Sequence, residues 1–231
     1  MPTIIDKEFG TITLRRSVRA SSIRIRIAPD GTLRVSSPLY TPALIIKRMI
    51  HNSRTQLREL LAQHQEQTIA FEDGMQIGKS HSLIVRSSAG ITKVERHKQH
   101  IIVSLNPSDS LSDSVVIEQI RAVVITALRR EAKSYLPKRL AFLAGQLGFE
   151  YQKARFSHAS GRWGSCSSNG TISLNIALMK LPFELIDYVL IHELSHTQQM
   201  NHSPAFWQLV EEGDPDYKLH RRQLKAETPS I

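Results

Sequence analysis

Between Phe183 and Leu194 nearly every residue is apolar or aromatic; the exceptions are Glu184, Asp187, His192 and Glu193. A stretch that is apolar on all sides has to form a helix buried in a core, and polar groups set into its far end then need partners there. His192 and His196 stand four residues apart, which on a helix puts both imidazoles on one face, in adjacent turns, aimed at one point. Glu193 sits beside the first and is aimed elsewhere. This His-Glu-x-x-His pattern suits a single zinc ion with a carboxylate next to it. Leu181-Pro182-Phe183-Glu184 opens the helix with a first-turn proline and an acid at the positive end of the dipole.

The helix is expected to end near Met200-Asn201, with Ser203-Pro204 as the cap and first turn of the next one. His202 sits in the bend between them. A reversal there swings it back toward the pair, giving three neutral nitrogen ligands and an open fourth position, which separates catalytic zinc from structural zinc. Zinc lowers the pKa of a water in that position to about 7, and Glu193 is placed to take its proton as it attacks a carbonyl or phosphoryl group. The ligand types leave manganese, cobalt or nickel open as replacements. The competing reading makes the histidines hydrogen-bonded core residues, but the local sequence offers a buried Glu193 no partner.

With 231 residues, 41% of them hydrophobic and 22% charged, the chain has the composition of an ordinary globular protein of one large or two small domains. Its single cysteine, Cys166, excludes an internal disulfide and any multi-cysteine zinc site. No run approaches the roughly 18 apolar residues of a membrane span, and the N-terminus lacks the apolar core of a secretory signal, so a cytoplasmic protein is expected. The net charge of +9 is uneven: residues 1–150 carry 22 basic and 13 acidic residues, whereas 151–231 carry 8 of each. That excess makes nucleotides, nucleic acid or acidic peptides candidate partners, against the alternative of a basic surface with no ligand.

Along the chain, Gly10–Leu14, Ser22–Ile27 and Leu33–Val35 read as short strands with a turn at Asp30-Gly31. The alternation Ile23-Arg24-Ile25-Arg26-Ile27 puts isoleucines on one face and arginines on the other. Thr41-Pro42 then supplies a cap and first-turn proline for a helix reaching about Gln67. A second strand group runs from about Thr68 to Leu105, with a turn at Asp73-Gly74. Turn formers at 106–110 mark the expected boundary between an N-terminal β-rich domain, 1–110, and a second domain, 111–231. The second domain opens with a long amphipathic helix from about Ser112 to Leu147. Lys153-Ala154-Arg155-Phe156 reads as a strand, and 162–175 as a hairpin around Asn169-Gly170.

Five segments together, Arg162-Trp163-Gly164-Ser165-Cys166, Ile172-Ser173-Leu174-Asn175, Asp187-Tyr188-Val189, His192-Glu193-Leu194-Ser195-His196 and Asn201-His202-Ser203-Pro204-Ala205-Phe206-Trp207, resemble the YgjP-like metallopeptidase family, related to SprT-type and WLM-type proteases. The likeness is dense from about Phe156 to Leu224. The chain departs from it at Ser53-Arg54-Thr55, where the family pattern leads one to expect a tryptophan-containing helix. The resemblance implies an α+β fold whose second domain is zincin-like, with an active-site helix on a small sheet and the three histidines as ligands. It also implies that the Arg162–Cys166 strand forms a sheet edge beside the metal, where an extended peptide substrate could add itself through backbone hydrogen bonds.

The expected function is therefore that of a zinc-dependent hydrolase, a metallopeptidase acting on peptide or protein with Glu193 as general base. The alternatives are a metal-dependent nucleoside triphosphate pyrophosphatase and a nucleic-acid-associated protease. Arg162 is a candidate to hold a substrate carboxylate or phosphate, or else pairs with a structural acid. Tyr217 is a candidate donor to an oxyanion, or else packs with its hydroxyl at the surface. Cys166 reads as a small buried residue, Phe206 and Trp207 as core behind the metal helix, and His220 as a surface residue.

Overall fold

A computed structural model of the chain describes residues 2–18, 20–28, 32–66, 70–159, 161–229 and 231. Its backbone contacts divide it into two compact units, 1–69 and 70–231. In the first, β1 (Thr3–Asp6), β2 (Gly10–Ser17), β3 (Arg24–Ile27) and β4 (Leu33–Pro38) form one sheet in the order β1-β2-β4-β3. The central β2-β4 pair is parallel and the outer pairs antiparallel. Alternation buries Ile12, Leu14, Leu33 and Val35 against Ile46, Ile50 and Leu57 of the helices that follow, and leaves Arg24 and Arg26 exposed on the other face. The Asp30-Gly31 turn lies outside the described residues.

The single helix expected from about 41 to 67 is two, α1 (Ala43–Asn52) and α2 (Arg54–Glu66). The break is at Ser53, whose amide is shared between the carbonyls of Met49 and Ile50. Pro42, not Thr41, stands at the N-cap, with no side-chain cap. Arg54, next to the break, reaches back to Asp6 at 2.9 Å and to Glu8, and Arg58 also holds Glu8. The segment that departs from the family pattern therefore ties the helices to the β1-β2 turn.

In the second unit, β5 (Gln76–Ile77), β6 (His81–Ser87), β7 (Lys93–His97) and β8 (His100–Leu105) form a sheet in the order β5-β6-β8-β7. α3 (Ser114–Leu147) follows, 34 residues and about 51 Å long. Its buried residues, among them Val116, Ile120, Val124, Leu128, Ala132, Leu136 and Leu140, recur every four positions, the stripe of a helix laid along a core. Gly148 closes it in the left-handed conformation at φ 71°.

The division expected near residue 110 is thus not where the contacts separate, and the second strand group packs with α3. A buried carboxylate is part of that packing. Glu131 of α3, 7% exposed, accepts hydrogen bonds from the amides of Lys79 (2.7 Å) and Ser80 (2.9 Å), the Ser80 hydroxyl (2.8 Å) and His81 Nδ1 (2.6 Å). These bonds hold its pKa below the ordinary value against the opposing effect of burial. Gly78 lets the turn approach, since a Cβ there would collide with Glu131 Oε2 and come within 2.6 Å of Leu128.

Beyond α3, β9 (Lys153–Ser157), β10 (Gly164–Cys166) and β11 (Thr171–Asn175) form a small sheet in the order β10-β11-β9, with β10 at its edge. Gly170, at φ 71°, turns the β10-β11 hairpin. A 3-10 turn, Ile176–Lys180, leads to α4 (Phe183–Ser195), α5 (Pro204–Gly213) and α6 (Tyr217–Ala226). α4 packs between α3, β10 and the last two helices, a mixed α+β arrangement with a buried helix on a small sheet. Among the described residues no helix is long and apolar enough to cross a membrane.

Candidate metal centre

α4 buries Leu185, Ile186, Tyr188, Val189, Leu190, Ile191, Glu193, Leu194 and Ser195, so its polar end lies inside the unit as its composition requires. It stops at Ser195, five residues before the expected end. Ser195 Oγ donates to the Ile191 carbonyl at 2.9 Å and Thr197 Oγ to that of Leu194 at 2.8 Å, and the chain tightens into i to i+3 turns. Hydroxyls that take helix carbonyls compete with the next helical amides. The early stop leaves 197–203 as a bend, and Ser203 caps α5 by accepting from the Phe206 amide at 3.3 Å.

That bend returns His202 to the helix. One ligand atom from each of His192, His196 and His202 lies within 4.8 Å of the others, and the Nε2 atoms of His192 and His202 are 3.2 Å apart. Two nitrogens on a tetrahedral zinc, each about 2.05 Å from it, stand about 3.3 Å apart, so this pair already has the ligand separation. His196 Nδ1 donates to the Gln199 carbonyl at 3.0 Å, which fixes the tautomer and turns its Nε2 inward, as an outer partner does for a metal-ligating histidine. Burial pushes the His192 pKa down to about 3, with the neighbouring charges of His196, His202 and Arg221 adding to it; burial lowers that of His196 as well. Both rings are neutral at ordinary pH, the state a metal ligand needs.

Aromatic rings brace the three imidazoles. Phe206, fully buried, stacks on His196 with centroids 4.5 Å apart, and Trp207 stacks on His202 at 5.6 Å. Tyr217 stacks on Trp207 at 5.5 Å, and the Arg221 guanidinium lies 4.5 Å from the same ring. Tyr217 is therefore buried core behind Trp207, and among the described residues its ring touches none of the three histidines. His220 is not at the surface: its Nδ1 pairs with Asp214 at 2.7 Å, both side chains being largely buried. Tyr188, a centre the sequence did not single out, lies 5.9 Å from His192 by ring centroids, and burial raises its pKa to about 12.

Glu193 is 5% exposed, and its pKa is pushed up to about 8 by burial, opposed by the charge of Arg162. It lies against β10 at Gly164, where a Cβ would come within 2.6 Å of Oε1 and 2.7 Å of Cγ. The glycine in Arg162-Trp163-Gly164-Ser165-Cys166 is thus the space the carboxylate occupies. Arg162 forms no ion pair among the described residues, so its charge acts on Glu193 rather than on a structural acid. Asn175, fully buried, holds the chain that carries Arg162, donating to the carbonyls of Ala159 (2.6 Å) and Arg162 (2.9 Å) and accepting from Ala177 N (3.0 Å). An asparagine closing the alternating strand Ile172-Ser173-Leu174 is the sequence signal for that clamp. Cys166 is half-buried, with its thiol pKa raised by burial and by Glu193, the reverse of a nucleophile's environment.

Two buried polar atoms here, His192 Nδ1 and Glu193 Oε2, have no hydrogen-bond partner, an arrangement that costs about 1–3 kcal/mol per atom. Three convergent imidazoles beside a carboxylate whose Oε2 has no protein donor are a donor set that fits a divalent transition ion and a water.

No curated protein matches the chain. Among solved structures, the crystal structure of the metallopeptidase zymogen of Pyrococcus abyssi abylysin is similar, at 29% identity over 39% of this chain and 92% of that one, with a TM-score of 0.36. The family model described as "YgjP-like, metallopeptidase domain" matches residues 21–227, most of the length, and the chain belongs to the YgjP-like metallopeptidase family.

Proposed function

We propose that the chain is a zinc-dependent peptidase in which His192, His196 and His202 hold the metal and Glu193 is the general base. The observation that carries this reading is the convergence of three imidazoles next to a buried carboxylate whose Oε2 has no protein partner. Zinc held there supplies a Lewis acid that polarises a carbonyl and lowers the pKa of a water toward 7.

The chain's own residues supply the rest. Gln199 fixes the His196 tautomer, and the stacked Phe206 and Trp207 keep His196 and His202 from rotating away. Glu193 Oε2 takes the proton of the attacking water and passes it to the departing amine. Gly164 leaves the room in which that carboxylate sits. β10, paired on one side only, offers its outer backbone groups to an extended peptide, and Arg162 lends positive charge beside the base.

The test is peptide hydrolysis by zinc-loaded protein with Glu193→Gln as control. The variant is expected to keep about one equivalent of zinc while turnover falls by at least about a thousandfold. A Glu193→Gln protein that cleaves peptides at near wild-type rate, or a wild type that binds no transition metal, overturns the assignment.

A further inference from the structure

The second unit carries another cavity, on the side of α3 that faces the β7-β8 hairpin. It measures about 680 Å³ and is walled by Arg96 and Lys98 of the hairpin, Arg130 and Ser134 of α3, and the buried His81–Glu131 pair. None of Arg96, Lys98 and Arg130 has an ion-pair partner among the described residues. The cavity's one carboxylate, Glu131, has both oxygens engaged by Lys79, Ser80 and His81, so three cations face the space against the single negative charge of Glu131.

Two features show that this is a built arrangement. His81 is 4% exposed, and its Nδ1 is committed to Glu131 at 2.6 Å, which leaves Nε2 as the polar atom it has for the cavity. Lys98 has φ 54°, the one positive φ outside glycine among the described residues. It occupies a two-residue hairpin turn that Gly or Asn would fill without strain. There its carbonyl accepts from Arg96 Nη1 at 2.8 Å and sets the guanidinium at the cavity wall. A strained residue that fixes a cation beside a buried imidazole is the kind of feature found at ligand sites.

We infer that this cavity binds a phosphate group, with Arg96, Lys98 and Arg130 neutralising the dianion and His81 Nε2 and Ser134 Oγ hydrogen-bonding its oxygens. Guanidinium groups meet phosphate oxygens in bidentate fashion, and the volume, many times that of the bare ion, takes a small organic phosphate. The site is independent of the metal assignment, because it shares no residue with the histidine triad.

The experiment is calorimetric titration of the full chain with inorganic phosphate and, separately, with glycerol phosphate, at fixed ionic strength. Saturable binding with a Kd below about 1 mM is expected, and Arg96→Gln and Arg130→Gln should each weaken it about tenfold. Both residues lie at the cavity's rim, so their variants should melt as the wild type does. Tighter binding of the ester would identify an organic phosphate as the ligand, and tighter binding of the inorganic ion would identify free phosphate. Absence of saturable binding, or undiminished binding by both variants, overturns the site. So does a loss confined to His192→Ala, which would put the phosphate on the metal centre, or to Arg24→Gln, which would put it on the N-terminal sheet.

Discussion

Gly164→Ala tests the geometry of the proposed base without touching a ligand or the carboxylate. The added methyl would lie 2.6 Å from Glu193 Oε1, 2.7 Å from Cγ and 2.8 Å from Cδ, against an ordinary contact of 3.4 Å or more. The carboxylate or the strand must therefore give way by about 0.8 Å, in an interior that is close-packed. A displacement of that order at a reacting group costs about a hundredfold in rate, or about 2.7 kcal/mol of transition-state stabilisation. Overpacking adds about 1–3 kcal/mol of lost stability. The assay is kcat/KM for a peptide substrate on zinc-loaded protein, with metal content and melting temperature measured on the same sample. Zinc stoichiometry is expected to stay at wild-type level, because the three atoms nearest the added methyl all belong to Glu193. A variant that keeps its metal and its activity within about threefold would show that Glu193 is not held where it acts, and the reasoning would fail.

Other outcomes follow from the same coordinates. Glu131→Gln should cost roughly 2–4 kcal/mol, measured by denaturant unfolding, because an amide cannot accept from every donor that the carboxylate satisfies. Since the folded-state pKa of Glu131 is lowered from 4.5, its ionised form contributes fully above that value, and the contribution disappears as pH falls through the depressed one. The gap between wild type and variant should accordingly shrink in acid, and a gap that widens there would contradict the carboxylate's role. Zinc at a hundredfold excess over its Kd should stabilise the protein by about 2.7 kcal/mol, roughly 5–10 °C in Tm for a chain of this length. His202→Ala and His192→Ala should lose most of that shift, and a shift retained in both would move the metal elsewhere.

The parts of this structure that were readable from sequence are those whose cause is local. The apolar run placed His192 and Glu193 on a buried helix, with His196 at the residue that caps it, and Ser203-Pro204 marked the start of the next one. Asn169-Gly170 marked the hairpin that α4 packs beside. What escaped depends on residues far apart in the chain. Gly164 and Glu193 meet across 29 positions, and only the fold shows that a glycine in a strand makes room for a carboxylate. Glu131 looks like any acid on a long helix until Lys79, Ser80 and His81 turn toward it, and that contact ties the second strand group to α3. The helix end at Ser195 and the break at Ser53 were missed for another reason. Both depend on which of two amides or hydroxyls reaches a carbonyl first, a competition between near-equal bonds that apolar periodicity does not report.

His192 projects from the last turn of α4 and His196 stands at the residue that caps it, whereas His202 sits on the bend that follows. In the proposed site an ion would be held by two donors from the end of one helix and a third from the bend after it. The stacking of Trp207 on His202 would then set how readily that third donor lifts. A change in that indole should alter the pace of metal exchange while leaving the choice of metal alone.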